Sequence, residues 1–142
     1  MTYALDTNII TYIIRCEMQV HKRFEQEVVI GGNSFVIPPI TVYEIERWLT
    51  DKPTWEKRYH AQKFHDLYHG VREYAAMAPD AWEKAVEIYV QLKQNGALIE
   101  EADIFIAAYC IVNDYVLVTN NLRHFSRIKD LNCVNWVAMP EI

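Results

Sequence analysis

Short apolar segments alternate along this chain with longer stretches whose apolar residues recur at helical spacing. Three such segments, residues 3–5, 35–37 and 115–118, are predicted to be buried strands. Parallel strands are short apolar runs when both faces of the sheet are covered, and each connection between them needs a crossover helix. The alternation therefore predicts an α/β fold with a mostly parallel central sheet that is flanked by helices.

Turn and capping residues indicate where the helices begin and end. Thr41 is a candidate cap for the helix after the second strand, and Asp80 with Glu83 resembles a capping pair for a later helix. The apolar residues over 54–70 recur at helical spacing and predict a further helix, a helical excursion from the alternation of strands and helices. The other predicted elements are helices over 8–16, 21–30 and 101–113, a short strand over 73–77 and a last strand over 134–136.

Composition is that of an ordinary globular protein. The 142 residues are 51% hydrophobic and 23% charged, which suits a single domain over 1–142 whose core needs no disulfides. The N-terminus has no basic stretch followed by an apolar run, and the longest apolar run, residues 104–112, is too short to span a bilayer. We therefore expect a cytoplasmic protein without membrane attachment, and we expect its cysteines to be reduced.

The net charge of −5 argues against nucleic-acid binding, because phosphate contacts normally draw on clustered Lys and Arg side chains. That objection weakens if divalent cations supply the positive charge. An acidic pocket that holds such ions attracts phosphate, whereas the net charge counts only the protein. The charge balance therefore does not exclude a protein that binds nucleic acid through metal ions.

Three carboxylates are predicted to converge at the C-terminal edge of the sheet. Asp6 directly follows the first strand, Glu44 lies in the helix after the second, and Asp103 lies in the first turn of the helix that leads to the third. A parallel sheet gathers its strand ends and the following helix starts into one crevice. Because carboxylates in a shared pocket repel one another, hard divalent cations with oxygen ligands are the usual remedy. The pattern predicts a site for Mg²⁺ or Mn²⁺.

Each element of this pattern also has an ordinary structural explanation. An acidic residue near a helix start more often caps the helix or compensates its dipole than takes part in catalysis, and Thr7 or Asn8 can cap the first helix. His65 and His69 lie four residues apart, but without a supporting motif such a pair is usually surface decoration. The aromatic residues of the 54–70 helix are expected to pack in a core or an interface rather than to stack on bases.

Four segments, in a fixed order along the chain, carry a family resemblance. They are Leu5-Asp6-Thr7-Asn8, Thr41-Val42-Tyr43-Glu44-Ile45, Ala102-Asp103-Ile104-Phe105-Ile106-Ala107-Ala108, and Leu117-Val118-Thr119-Asn120-Asn121 with Arg123-His124-Phe125. On these residues the sequence resembles the PIN-domain ribonucleases, and specifically the VapC-type toxins of type II toxin–antitoxin systems. The resemblance covers nearly the whole chain. Any one segment is a weak signal, whereas four in this order are a strong one.

The resemblance implies a PIN-like domain, metal-dependent cleavage of RNA into products with a 5′-phosphate, a homodimer, and a cognate antitoxin that holds the enzyme inactive. It also implies that Asp6, Glu44 and Asp103 are the catalytic carboxylates that hold the metal. Asn121 occupies the fourth acidic position of many PIN domains, and its neutral amide should bind a second cation more weakly. Thr119 is a candidate hydroxyl for orienting water or phosphate.

The expected mechanism is phosphodiester hydrolysis in which Asp6 and Asp103 anchor Mg²⁺ and Glu44 completes the site or helps to deprotonate the attacking water. Asn8 is a candidate to position Asp6, with a local helix cap as its alternative role. Three basic residues are candidates for contacting flanking phosphates, with surface ion pairs as their alternative role. They are Arg47, Arg123 and Arg127.

Two other functions are consistent with parts of the pattern. A haloacid-dehalogenase-like phosphatase also places an Asp after its first strand, but it needs a second Asp two residues later, where this chain has Asn8. A non-catalytic PIN-type module that binds RNA or a partner would explain why Asn121 breaks the acidic set. Asn8 argues against the phosphatase, and the three retained carboxylates argue against the non-catalytic module.

Overall fold

The structure, a computed structural model, describes residues 1–137. At its centre lies a four-stranded sheet in which each neighbouring pair of strands is parallel. This confirms the predicted α/β class with a parallel central sheet. The strands are β1 (Thr2–Leu5), β2 (Ser34–Val36), β3 (Val116–Val118) and β4 (Cys133–Val134), in the spatial order β2-β1-β3-β4.

Helices connect the strands and cover both faces of the sheet. They are α1 (Thr7–Ile14), α2 (Met18–Phe24), α3 (Pro39–Thr50), α4 (Trp55–His69), α5 (Pro79–Gln94), α6 (Glu101–Asn113) and α7 (Leu122–Phe125). Helix α2 continues into a π-helical segment over Glu25–Ile30. Within residues 1–137, no helix is both long and apolar enough to cross a membrane.

Strand β1 lies inside the sheet and determines where the crevice forms. Its residues Ala4 and Leu5 are fully buried, with β2 on one side and β3 on the other. Because the strands run in the same direction, the chain leaves each of them at the same edge of the sheet. The end of β1 therefore opens at the centre of that edge.

Successive side chains of β1 point to opposite faces of the sheet and join two separate cores. Ala4 packs on one face with residues of α5 and α6, together with the buried Tyr109 and Phe125. Tyr3 and Leu5 pack on the other face with residues of α1, α3 and α4. The sheet is thus covered on both sides, as a parallel sheet requires.

The last described residues close the second core. Trp136 is 1% exposed, and its ring lies edge-on to Tyr3, with 5.2 Å between the ring centroids. A strand was expected over 134–136, but β4 ends at Val134. Asn135 causes the difference, because its Oδ1 accepts the N–H of Val137 at 2.8 Å and turns the chain, which sends Trp136 into the core.

Two helices begin at a proline rather than at the caps expected from the sequence. Helix α3 begins at Pro39 and helix α5 at Pro79. Proline suits the first helical position, because its missing N–H would have no partner there and its φ is already helical. Thr41 is therefore buried within α3 instead of capping it, and Asp80 with Glu83 forms no cap for α5.

The prediction of a short strand over 73–77 is wrong. Arg72–Tyr74 forms a 3₁₀ turn, in which the N–H of Tyr74 donates to the carbonyl oxygen of Val71 at 3.0 Å. The carbonyl oxygen of Tyr74 accepts the hydroxyl of Tyr109 at 2.7 Å. These nearby partners satisfy the backbone groups that a strand would offer to a sheet.

Helix α4 offers a matched test of what holds the second core together. Phe64 is fully buried, whereas Trp55 on the same helix is 83% exposed. Phe64→Ala should lower the free energy of unfolding by about 3–5 kcal/mol, because it removes buried apolar surface and leaves a cavity. Trp55→Ala should change it by less than about 0.5 kcal/mol. Urea denaturation measures both, and equal losses would contradict the burial pattern.

Candidate functional site

Asp6 lies at the end of β1 and is the N-cap of helix α1. Its Oδ1 accepts the backbone N–H of Thr7 at 2.7 Å, and its side chain is largely buried. Asp6 therefore takes the capping role that was expected of Thr7 or Asn8. A carboxylate at this position is stabilised by the helix dipole as well as by the hydrogen bond.

A buried hydroxyl ties Asp6 to the end of β3. Thr119 directly follows β3, is fully buried, and donates from Oγ1 to Asp6 Oδ2 at 2.7 Å. The same hydroxyl oxygen accepts the backbone N–H of Asn121 at 2.9 Å. Because Thr119 gives its hydrogen to Asp6, the contact favours the ionised carboxylate.

The side chain of Thr7 joins this edge of the sheet to a second carboxylate. Thr7 Oγ1 donates to Glu44 Oε1 at 2.9 Å, and Glu44 lies in the first half of α3. Thr7 therefore serves two carboxylates at once, with its backbone N–H on Asp6 and its hydroxyl on Glu44. Two of the three predicted carboxylates thus meet at one residue.

Asp103 lies in the first turn of α6, where a histidine contacts it. His124 Nδ1 lies 3.3 Å from Asp103 Oδ2 and 2.8 Å from Asn121 Nδ2. A ring nitrogen that carries hydrogen donates to Asp103, whereas a bare one accepts from Asn121, so the two contacts are alternatives. His124 therefore links Asp103 to the segment that also contacts Thr119.

The carboxylates lie close enough to affect each other's ionisation. Burial raises the pKa of Asp6, its hydrogen bonds lower it, and the negative charges of Asp103 and Glu44 raise it further. Burial also raises the pKa of Asp103, while His124 lowers it and Glu100 raises it. The pKa of both Asp6 and Asp103 is therefore raised overall, which means that the folded protein disfavours their ionised forms.

The donor set has the chemistry of a site for a hard divalent cation. Carboxylates supply oxygen ligands, and their mutual repulsion is what such an ion relieves. In this structure, however, Glu44 contacts Thr7, and Asp103 contacts His124. Across residues 1–137, no three His, Cys, Asp or Glu side chains are grouped closely enough to hold an ion. A cation would therefore require the carboxylates to move closer together than they are in this structure.

The three arginines predicted to contact phosphate lie on the surface. The guanidinium carbon of Arg47 is 5.2 Å from the ring centroid of Tyr43. Arg127 donates to the carbonyl oxygen of Ala97 at 3.4 Å, and Arg123 is exposed. In the part of the chain that the structure describes, none of the three forms the ion pair considered as its alternative role.

Two residues of the network were not assigned from the sequence, namely Thr7 as the donor to Glu44 and His124 as the neighbour of Asp103. His124 had a detectable signal, because it follows Asn121 by three residues, a spacing that puts two side chains on one face of a helix. Asn8, which was considered in place of Thr7, is exposed. Among the described residues its side chain makes no hydrogen bond to Asp6.

Comparison with curated proteins identifies relatives of nearly the same length. The chain is 32% identical over 140 residues to ribonuclease VapC2 of Haemophilus influenzae, which covers 96% of this chain and 99% of that protein. It is 28% identical over 136 residues to ribonuclease VapC2 of Rickettsia felis, which covers 96% of this chain and 98% of that protein.

Solved structures with the same fold include two VapBC proteins. VapBC2 from Rickettsia felis, bound to a DNA fragment from its promoter, matches with a TM-score of 0.82 and 25% identity over 96% of this chain and 99% of that one. VapBC-1 from nontypeable Haemophilus influenzae matches with a TM-score of 0.80 and 25% identity over 97% and 100%. The family model of the PIN domain matches residues 3–131. The chain therefore belongs to the PIN-domain family, as a relative of the VapC ribonucleases.

Proposed function

We propose that this protein is a divalent-metal-dependent endoribonuclease that hydrolyses RNA phosphodiester bonds and acts as the toxin of a toxin–antitoxin pair. The observation that carries the proposal is the clustering of acidic groups around buried Asp6. Thr7 connects Asp6 to Glu44, and the charge of Asp103 is near enough to raise the pKa of Asp6. The curated relatives named ribonuclease VapC support the same chemistry.

Asp6, Glu44 and Asp103 are the proposed metal ligands, with Mg²⁺ or Mn²⁺ as the ion. When bound, such an ion supplies a Lewis acid that activates water and neutralises charge on a phosphate oxygen. Asp6 is the fixed ligand, because the Thr7 amide and the Thr119 hydroxyl hold its two oxygens. Glu44 and Asp103 are the adjustable ligands, since both would have to move closer to Asp6 to share an ion with it.

The proposed reaction is the attack of water on phosphorus with the 3′ oxygen as the leaving group. The new phosphorus–oxygen bond forms as the bond to the 3′ oxygen breaks, which leaves a 5′-phosphate and a 3′-hydroxyl. Glu44 takes the proton from the attacking water, and the 3′ oxygen takes a proton from solvent. Thr119 already donates to Asp6 and accepts from Asn121, so its proposed role is to orient Asp6 rather than water.

Asn121 limits the metal content of the proposed site. Its amide brings no negative charge to the position where many PIN domains have an acid. A second cation therefore has less charge to offset its loss of hydration. We propose one well-held ion in the free protein, with a weaker second ion that depends on the phosphate of the substrate.

Arg47, Arg123 and Arg127 are the proposed contacts to phosphates that flank the cleaved bond. All three are exposed, and in the described part of the chain none is neutralised by an acidic partner. A guanidinium in this state can donate two parallel hydrogen bonds to a phosphate. These contacts would position RNA without specifying its sequence.

A cognate antitoxin and a second copy of the chain are the proposed protein partners, in the cytoplasm. Structures of VapBC proteins among the relatives support the first partner. Helix α5 supports an interface, because a row of its apolar residues at helical spacing remains partly exposed, as is common where proteins meet. These residues are Trp82, Val86, Tyr89 and Val90.

A non-catalytic PIN-type module that binds RNA or a partner is the second candidate function. The neutral Asn121 favours it, and so does the spacing of the carboxylates, since no three His, Cys, Asp or Glu side chains of residues 1–137 are grouped closely enough to hold an ion. The two functions differ in whether the carboxylates bind a cation and whether RNA is cut. Both differences are measurable on the same variants.

Asp6→Asn and Asp103→Asn should each reduce RNA cleavage by about 100-fold or more, because an ion that stabilises the transition state by several kcal/mol loses a charged ligand. Asp80→Asn is the matched control, since Asp80 is an exposed acid in the first turn of another helix. Cleavage of a panel of structured RNAs with Mg²⁺ or Mn²⁺ measures the effect. Undiminished metal-dependent cleavage by both site variants would refute the assignment.

Divalent cations should stabilise the wild-type protein independently of any RNA. A ligand at a hundred times its Kd raises the free energy of unfolding by about 2.7 kcal/mol, and Mg²⁺ or Mn²⁺ should approach this value. Asp6→Asn should lose most of the gain, because the fixed ligand is missing. Thermal unfolding at several metal concentrations, together with isothermal titration calorimetry, measures it. The non-catalytic module predicts no cation-dependent stabilisation in either protein.

The stability of the metal-free protein should fall as pH rises through the titration of Asp6. The folded-state pKa of Asp6 is raised, so between the unfolded and folded values the native state binds more protons, and deprotonation favours unfolding. Asp6→Asn removes this penalty, so it should be more stable than wild type in EDTA near pH 7, by an amount that shrinks on acidification. Urea denaturation of both proteins in EDTA, from near pH 7 downward, tests the sign of this difference in the free energy of unfolding. A variant that is less stable than wild type at every pH would contradict it.

A further inference from the structure

The aromatic residues of helix α4 fall into two groups that the sequence does not distinguish. Phe64 is fully buried and stacks on Tyr68, with 5.7 Å between the ring centroids. Trp55 and Tyr59, by contrast, are 83% and 61% exposed. The first group is the core packing expected from the sequence. The second group needs a separate explanation only if its rings belong to a contiguous surface, because contiguous patches mark interaction sites whereas single exposed rings are common.

Positive side chains lie over the exposed rings. The Arg58 guanidinium carbon is 5.1 Å from the centroid of the Trp55 ring, and Lys63 Nζ is 4.6 Å from that of Tyr59. Two more cations flank the ring of Trp48, at 5.4 and 5.8 Å. We call this surface the basic-aromatic face. It consists of Trp48, Trp55, Tyr59, Arg15, Lys57, Arg58 and Lys63.

The cations of the basic-aromatic face are not neutralised by acids. Throughout residues 1–137, none of its four Lys and Arg side chains forms a salt bridge. The acids on α4 have other partners, since Glu56 contacts His60, and Asp66 accepts from Gln62. A chain with a net charge of −5 therefore carries a local positive surface. An anionic ligand would be attracted to this surface rather than to the protein as a whole.

Helices α1 and α3 connect the basic-aromatic face to the acidic site. Asp6 caps the beginning of α1, and Arg15 caps its end. An eight-residue helix is about 12 Å long, so this is roughly the distance between the two regions. In α3, Trp48 follows Glu44 by one helical turn, which puts both side chains on the same side of the helix. A polymer held at the acidic site could therefore extend along these helices onto the face.

We infer that the basic-aromatic face binds a single-stranded segment of RNA beside the bond to be cleaved. The choice of RNA rests on the proposed function. Single-stranded nucleic acid is held by bases that stack on aromatic rings and by cations that contact the phosphates. Trp55 offers both, because Arg58 lies over its ring while most of the side chain stays open to solvent.

The distribution of the exposed rings argues for RNA rather than a protein partner. Protein interfaces centre on contiguous apolar anchors from which charge is depleted. On α4 the neighbours of Trp55 are Glu56, Lys57 and Arg58, so the exposed rings stand among charges. The continuous apolar row on α5 has the opposite character. The two helices therefore suit different classes of partner.

The test measures binding of a fluorescein-labelled oligouridylate of about 15 nucleotides, a length that spans a typical single-strand site. Fluorescence anisotropy in EDTA keeps binding separate from cleavage. The Trp55→Ala and Tyr59→Ala double variant should bind about 10-fold or more weakly than wild type, because it loses two stacking surfaces. Trp55→Phe and Tyr59→Phe should retain most of the affinity, since an aromatic ring remains.

The matched control is Tyr74→Ala. Tyr74 in the 3₁₀ turn is 50% exposed, and it lies outside both the basic-aromatic face and the apolar row of α5. Its removal should leave the oligouridylate affinity within about 2-fold of wild type, as expected for a surface substitution away from the ligand. An equal loss in this variant would mean that any exposed ring supports binding, and it would overturn the assignment.

Charge variants provide a second readout that a packing role would not move. Lys57→Gln and Arg58→Gln should each make the dependence of log Kd on log salt concentration shallower by about 0.7, the value for one phosphate contact to a single strand. An unchanged salt dependence would overturn the phosphate role. Unfolding by urea, measured alongside, establishes that the variants are folded.

Two results separate the failure of this inference from the failure of the proposed function. Unchanged oligouridylate affinity in the double variant, with or without a loss of self-association in sedimentation, would refute RNA binding at this face. A loss of self-association in that variant would identify the face as a protein interface. Neither outcome affects the cleavage assay of the Asp6 variant, which tests the nuclease assignment. Conversely, loss of affinity without any cleavage activity would support RNA binding by a non-catalytic module.

Discussion

The structure depends on keeping one charged carboxylate at the end of a buried strand. Removing Asp6 from water costs several kcal/mol unless its oxygens are hydrogen-bonded. The donors are the Thr119 hydroxyl, at the end of β3, and the Thr7 amide, at the start of α1. The contact that holds the charge also fixes the register of β3 beside β1, since a slip of one residue would turn Thr119 to the other face of the sheet. Fold and site are therefore specified by the same hydrogen bonds.

The donors around Asp6 are neutral, and this determines what the site can attract. Thr7 and Thr119 stabilise Asp6 without cancelling its charge, and the ring of His124 contacts Asp103. Repulsion between the carboxylates is thus kept rather than removed, which raises the free energy of the ion-free state. Within residues 1–137, Lys and Arg side chains that form no salt bridge lie elsewhere, on α4. The acidic site and the basic-aromatic face therefore lie at opposite ends of α1, and α3 also connects them.

Local sequence patterns predicted the elements of this fold better than their contacts. The apolar segments gave the strands and the class, and the helix over Glu101–Asn113 has the predicted bounds, because these patterns depend on burial alone. The predicted starts of α3 and α5 were wrong, because Pro39 and Pro79 begin these helices in place of the nearby capping residues. Contacts such as Asp103 with His124 join residues that are distant in sequence, and helical periodicity cannot reveal which rings of α4 face solvent.

The separation of Asp6 and Thr119 in sequence has a consequence during synthesis. These residues are 113 positions apart, yet their hydrogen bond closes the centre of the acidic edge. A growing chain contains Asp6, Thr7 and Glu44 early, but Asp103 and Thr119 are added only with α6 and β3, and β3 must then pair with β1. Because such non-local pairing forms late and slowly, the nascent chain stays without an assembled site until most of it has left the ribosome. The acidic site thus stays incomplete during most of translation, because the topology supplies its last residues late.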